Sequence, residues 1–319
     1  MKITRFIVLA SLTMLLLIAC QNEGIIVNDS LVELKAKVPT FKDLGNTVRS
    51  ISVKTDSDNF MKSAETYNVA LYKAEYITAG DNDEMGNTVF FSNVGNKQLG
   101  ADFAPGLSLD GTDNVSFYVD DNRPSGDLPV VVTNHAIDRA MSTWDEVTCS
   151  ELSMFEVPYD GRDTGFISAL LGFGGSFNYT ADVTHAGWMP PLFFDFLAPG
   201  GSNFILGVTF TIIFTDASGN PVDTDNNGKT DVAFREIYYN DNFSWNDGST
   251  YDVETIALHE AGHGLSQGHF GKAFRSGGNG KLHFSPRAVM NAAYSGVQTS
   301  IRQSDNGGHC SNWASWPSN

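Results

Sequence analysis

Positive charge is scarce in this chain. Its 319 residues carry 20 Lys and Arg against 37 Asp and Glu, a formal net charge of −17. Binding nucleic-acid phosphates requires a basic surface, so nucleic acid is excluded as the partner. Cysteine is scarcer still: Cys20, Cys149 and Cys310 make an odd count for an exported protein. Beyond the first twenty residues no apolar run is long enough to cross a bilayer. There is no internal repeat. Without its leader the chain retains about 300 residues, enough for one large domain or two modest ones.

The N-terminus places the protein outside the cytoplasm. Lys2 and Arg5 precede an apolar run from Phe6 to Ala19, interrupted by Ser11 and Thr13. The run is too short to span a membrane comfortably and reads as a signal peptide over residues 1–19. It ends in Leu17-Ile18-Ala19-Cys20, which resembles a bacterial lipobox. Cleavage before Cys20 leaves that thiol as the site of lipid attachment. Gln21 lacks the negative charge that holds many lipoproteins at the inner membrane, so the outer membrane or cell surface is expected. With Cys20 lipidated, Cys149 and Cys310 are left to form a disulfide across a long loop.

The densest chemistry lies at residues 259–269, His-Glu-Ala-Gly-His-Gly-Leu-Ser-Gln-Gly-His. His259 and His263 lie four apart and share one face of a helix. His269 follows six residues later, where a chain that has left the helix turns back. Three neutral imidazoles hold a zinc ion and leave one position for water. Glu260 is placed to take that water's proton. Upstream, Asp252 is a good N-cap, and Val253, Ile256 and Ala257 form an apolar face. Asp252 and Glu254 suit the positive end of the helix dipole.

His259, Glu260, His263 and His269 resemble the signature of the metzincin clan of zinc endopeptidases. The departure is Ser266, where the clan has a glycine that adopts a left-handed turn. Serine there costs on the order of 1 kcal/mol if that turn is kept, unless Gly264 and Gly268 absorb it. Downstream, Pro286-Arg287-Ala288-Val289-Met290-Asn291-Ala292-Ala293-Tyr294 resembles a Met-turn. The resemblance implies that Met290 forms an apolar floor beneath the zinc. It also implies that Tyr294 walls the primary specificity pocket, as in matrixin-like members. It covers roughly residues 112–319 and is strongest from 232 onward.

The implied fold is α+β: a twisted mixed sheet, an active-site helix and a C-terminal subdomain. Expected elements are a strand at 115–119, a helix at 134–147 with a buried stripe, and strands at 204–214 and 232–239. By the resemblance, the 204–214 strand is the sheet edge that pairs with an extended substrate. Residues 20–50 read as a tether and 51–111 as a small β-rich region or a propeptide, with strands near 67–72 and 88–92. No cysteine lies in that region, so the cysteine-switch latency of matrixins cannot operate. Residues 184–203 read as a loop, either lining a cleft or packed on the surface. His135, His185, His283 and His309 read as structural. Asp223, Asp225, Asn227 and Asp231, with Gly228 at the sixth position, resemble half of an EF-hand loop. They are candidate calcium ligands, although Phe234 stands where the bidentate acid belongs.

The function expected is a monomeric, lipid-anchored zinc endopeptidase acting on extracellular proteins or peptides. Two alternatives stay open: a non-catalytic surface lipoprotein with structural zinc, and a zinc hydrolase of a non-protein amide.

Overall fold

A computed structural model describes residues 31–52, 66–91, 100–107 and 112–318. The expected signal peptide, residues 1–19, and Cys20 lie outside the described residues. In chain order the strands are β1 (Leu31–Glu33), β2 (Arg49–Ser52), β3 (Thr66–Thr78), β4 (Thr88–Phe90), β5 (Ala101–Asp102) and β6 (Val115–Val119). After helix α1 (Val130–Asp145) come β7 (Met154–Glu156), α2 (Phe166–Leu171), β8 (Val183–Met189), α3 (Pro191–Leu197), β9 (Ile205–Thr215) and β10 (Thr230–Asn240). The chain ends with α4 (Val253–Gly264), β11 (Lys272–Ser276), β12 (Leu282–Ser285) and α5 (Gln303–Trp313).

The class is α+β, built on a mixed nine-stranded sheet ordered β2-β3-β9-β10-β8-β6-β7, with β4 beside β3 and β5 beside β10. β8 runs parallel to both β10 and β6, whereas β9 is antiparallel to β10. Every residue of β9 and β10 is buried. Both strands are rich in β-branched and aromatic side chains, the composition expected of strands covered on both faces. On one face, Leu206, Ile213, Val232 and Ile237 pack with Ala136, Ile137, Ala140, Met141 and Trp144 of α1 and with Ile256, Ala257, Leu258 and Ala261 of α4. On the other, Val208, Phe210, Ile212 and Tyr238 pack with Phe166 of α2 and with Phe193, Phe194 and Leu197 of α3. A smaller sheet, β1-β11-β12, lies apart from the main one.

Four expectations change. The 204–214 strand is not a sheet edge, because β3 pairs antiparallel with β9 from Asn68↔Thr215 to Thr78↔Ile205. β3, β4 and β5 therefore belong to the same sheet as the later strands. Residues 31–50 are not a free tether: β1 pairs with β11, β2 pairs with β3, and Phe41 is buried against Tyr76. Residues 184–203 are mostly β8 and α3 rather than loop. Pro190 and Pro191 occupy the helix start, where a missing N–H costs nothing, so they mark an element boundary. The fourth change is at α1, which begins at Val130, directly after Pro129, rather than at 134. Cys149 and Cys310 are joined in a disulfide that ties the segment after α1 to α5.

Candidate metal centre

His259, Glu260 and His263 lie on α4, and His269 follows it. Asp252 caps that helix: its carboxylate accepts from the Thr255 amide at 2.8 Å and from the Thr255 hydroxyl. On α1, the Trp144 indole donates to Leu258 O at 2.8 Å, locking the two helices together. His259, Glu260 and His263 are completely buried.

The three histidines converge through Nε2, with all three pairwise distances 3.1 Å. Tetrahedral zinc with bonds of about 2.0–2.1 Å needs nitrogens about 3.3 Å apart, so the triangle fits such an ion after a small adjustment. His259 Nδ1 lies 2.7 Å from Val289 O and His263 Nδ1 lies 2.7 Å from Gln267 O. A carbonyl only accepts, so both Nδ1 atoms carry protons and both Nε2 lone pairs face the centre. Burial also favours neutral rings, lowering His259 and His263 to about 3 and His269 well below its ordinary value. Acceptor lone pairs aimed at one another repel unless a cation lies between them.

Glu260 is held from β9 and β3. The Thr209 hydroxyl donates to Oε2 at 2.5 Å, and the Ile77 amide donates to Oε1 at 3.2 Å. Burial raises its carboxyl well above the usual range.

Met290 is wholly buried beneath α4. A Cβ on Gly262 would sit 2.3 Å from the Met290 sulfur, so only glycine lets the helix approach this closely. Asn291 closes the turn, accepting from the Ala288 amide and donating to Phe270 O and Pro286 O. Asp305 on α5 accepts from the amides of Val289 and Met290, both at 3.1 Å. Tyr294 lines a small cavity with Val289, Ala293, Thr255 and Ile77, and its hydroxyl donates to Ser249 O.

Ser266 takes the left-handed turn itself, with φ of 67°, and neither Gly264 nor Gly268 has positive φ. Its hydroxyl accepts from Arg235 at 2.9 Å and donates to Ala101 O at 3.1 Å. A hydrogen bond to a charged group contributes about 1.5–3 kcal/mol, which offsets the backbone cost. Arg235 is itself buried, donating also to Gly264 O, Ala101 O and Thr211 Oγ1 and lying over the Phe103 ring. It pins the loop between the second and third histidines.

Asp305, Arg235, Thr209 and Ile77 have no part in the sequence motif. Each acts through a long-range hydrogen bond or contact that leaves no local spacing signal. His185 is buried against Tyr239 and Met141, and His309 stacks on Trp144.

A second cluster lies in the turn between β9 and β10. Asp223, Asp225 and Asp231 bring one carboxylate oxygen each within 4.8 Å of one another. Asn227 does not join them freely: its Oδ1 accepts from the Lys229 amide and its Nδ2 donates to Asp225. Phe234, the twelfth position, is buried in the core. Burial first, then the charges of Asp225 and Asp223, push Asp231 up to about 6.

No protein-family model matches the chain, and no curated protein matches it.

Proposed function

We propose that the protein is a zinc-dependent endopeptidase of metzincin-like, matrixin-like architecture. The observation that carries this reading is the triangle of His259, His263 and His269 Nε2 atoms beside Glu260 on one buried helix. When bound, the zinc supplies an activated water and a positive charge at the scissile carbonyl. The three imidazoles would hold the metal, and Val289 O and Gln267 O fix the tautomers of His259 and His263. Glu260 takes the water's proton and returns it to the leaving amine, with Thr209 orienting its carboxylate. Tyr294 and Val289 shape the pocket for a substrate side chain. Among the described residues no fourth His, Cys, Asp or Glu joins the triangle, which speaks against a closed structural site.

The substrates proposed are extracellular proteins or peptides, reached from a lipid anchor on Cys20 at the outer membrane or cell surface. The Cys149–Cys310 bond suits an oxidising compartment. The test uses chain isolated from palmitate-labelled cells. About one zinc per chain is expected, together with chelator-sensitive hydrolysis of casein by at least one of two forms, the intact chain or the chain cut at an engineered site near Gly106. Label should disappear in Cys20→Ala. Zinc without cleavage in either form rejects the endopeptidase; no zinc rejects the metal centre.

For the turn at 223–231 we propose calcium. Without a cation, the raised carboxyl of Asp231 favours its protonated form in the folded state. The stability it contributes is fully present below about pH 4 and is lost as pH rises through about 6. Calcium binds the ionised carboxylates and is expected to restore that stability at pH 7. The melting temperature at pH 7 should therefore rise with millimolar calcium and should not rise in Asp231→Asn. Equal melting with and without calcium refutes the site.

A further inference from the structure

β3 lies where a bound peptide would lie. One edge is antiparallel to β9, through Glu75↔Thr209, Tyr76↔Val208 and Ile77↔Gly207. At its end the other edge meets the pocket wall in parallel: Thr78 pairs with Ala293, and the Tyr294 amide donates to Thr78 O at 2.8 Å. Extended peptides are gripped in this way, by backbone hydrogen bonds with side chains entering pockets. At the point of closest approach the Ile77 amide donates to Glu260 Oε1, the atom that would handle a substrate's proton. The buried Ile77 side chain forms a wall of the small cavity that Tyr294 also lines.

The chain following β3 completes the cover. A Cβ on Gly86 would lie 2.0 Å from Tyr76 O, 2.6 Å from Ala292 O and 3.0 Å from His269 Cε1. The glycine thus lets this segment press directly on the third histidine. With β3 and this segment in place, His259, Glu260 and His263 have no exposed surface.

We propose that β3 is an internal occupant of the substrate groove, holding the chain in a latent form. This rests on the endopeptidase reading above. The block acts by backbone occupancy and not by a fourth ligand. The carboxylate that β3 brings here, Glu75, is 3.8 Å from His263 Nδ1, the nitrogen turned away from the triangle's centre. Glu75 pairs instead with Lys73 of the same strand at 2.6 Å. β3 therefore carries its own counter-charge and leaves no unpaired lysine behind when it withdraws. Withdrawal uncovers the edge of β9, which an extended substrate then pairs with in its turn.

The full chain, with zinc content determined, is titrated with a fluorescent peptidyl hydroxamate carrying a branched aliphatic side chain. Hydrogen exchange of the β3 amides is followed on the same samples. Zinc-loaded chain is expected to bind the probe weakly, and only as the Ile77 and Thr78 amides lose protection. Gly86→Ala, whose new methyl group must displace the covering segment, is expected to bind the probe at least about tenfold more tightly. Should that variant fail to fold by circular dichroism, Ile77→Ala, which enlarges the pocket and keeps the backbone, takes its place with the same expectation. Tight binding to the unsubstituted chain with β3 protection retained overturns the proposal, as does a variant that binds no better. A chain without zinc overturns the metal centre and is recognised by that measurement alone.

Discussion

Glu260→Gln is expected to lower kcat/KM for peptide hydrolysis by about 10²- to 10⁴-fold, with zinc still bound and the fold unchanged. The fold tolerates the change because Thr209 Oγ1 lies 2.5 Å from Glu260 Oε2 and 3.0 Å from Glu260 O. It can accept from the new amide while donating to the backbone carbonyl. The glutamine oxygen still accepts from the Ile77 amide. Zinc is expected to stay because its proposed ligands are His259, His263 and His269, and the outer nitrogens at 259 and 263 bond to the backbone and not to Glu260. Only the proton transfer is lost, since an amide cannot take a proton from water at neutral pH. The comparison is made under whichever conditions the unsubstituted chain cleaves casein, with metal analysis of both proteins. Activity within tenfold of the unsubstituted chain would remove Glu260 from the mechanism.

Breaking the disulfide is expected to cost about 4–5 kcal/mol and to lower the melting temperature by about 10 °C. Cys149 and Cys310 are separated by 161 residues, so the bond closes a long loop and lowers the unfolded chain's entropy accordingly. The folded protein should feel the loss at the metal as well. Cys310 and Asp305 are both on α5, and Asp305 accepts the amides of Val289 and Met290. Val289 O in turn orients His259. A looser α5 therefore loosens the floor of the site, and the double variant Cys149→Ser/Cys310→Ser should release zinc to a chelator faster. Urea unfolding of this variant and of the unsubstituted chain measures the first effect; an unchanged midpoint would show that α5 holds without the bond.

The candidate site was legible because its chemistry is local. His259, Glu260 and His263 lie on one turn of helix, and His269 is within reach of a single loop. Four-residue spacing and an N-cap at Asp252 suffice to write that geometry into the sequence. Met290 was found by its place after the motif. The long buried strands β9 and β10 were visible as apolar runs, and Val115–Val119 likewise. Ser266 was visible as an oddity, but its reason was not, because Arg235 comes to it from a strand thirty-one residues away.

What the sequence by itself determined is a set of short-range facts: a triad of histidines with an adjacent acid, an excess of acidic residues, and strands at 204–214 and 232–239. What only the tertiary structure decided is which strand lies beside which. Residues 66–78 look like any half-buried strand, because backbone hydrogen bonds between β3 and β9 depend on register and not on side-chain identity. The pairing closes an edge the sequence pattern left open, and it brings Ile77 onto Glu260 across 183 residues of chain. Contacts of that span are set by the packing of the whole sheet, and no local pattern records them.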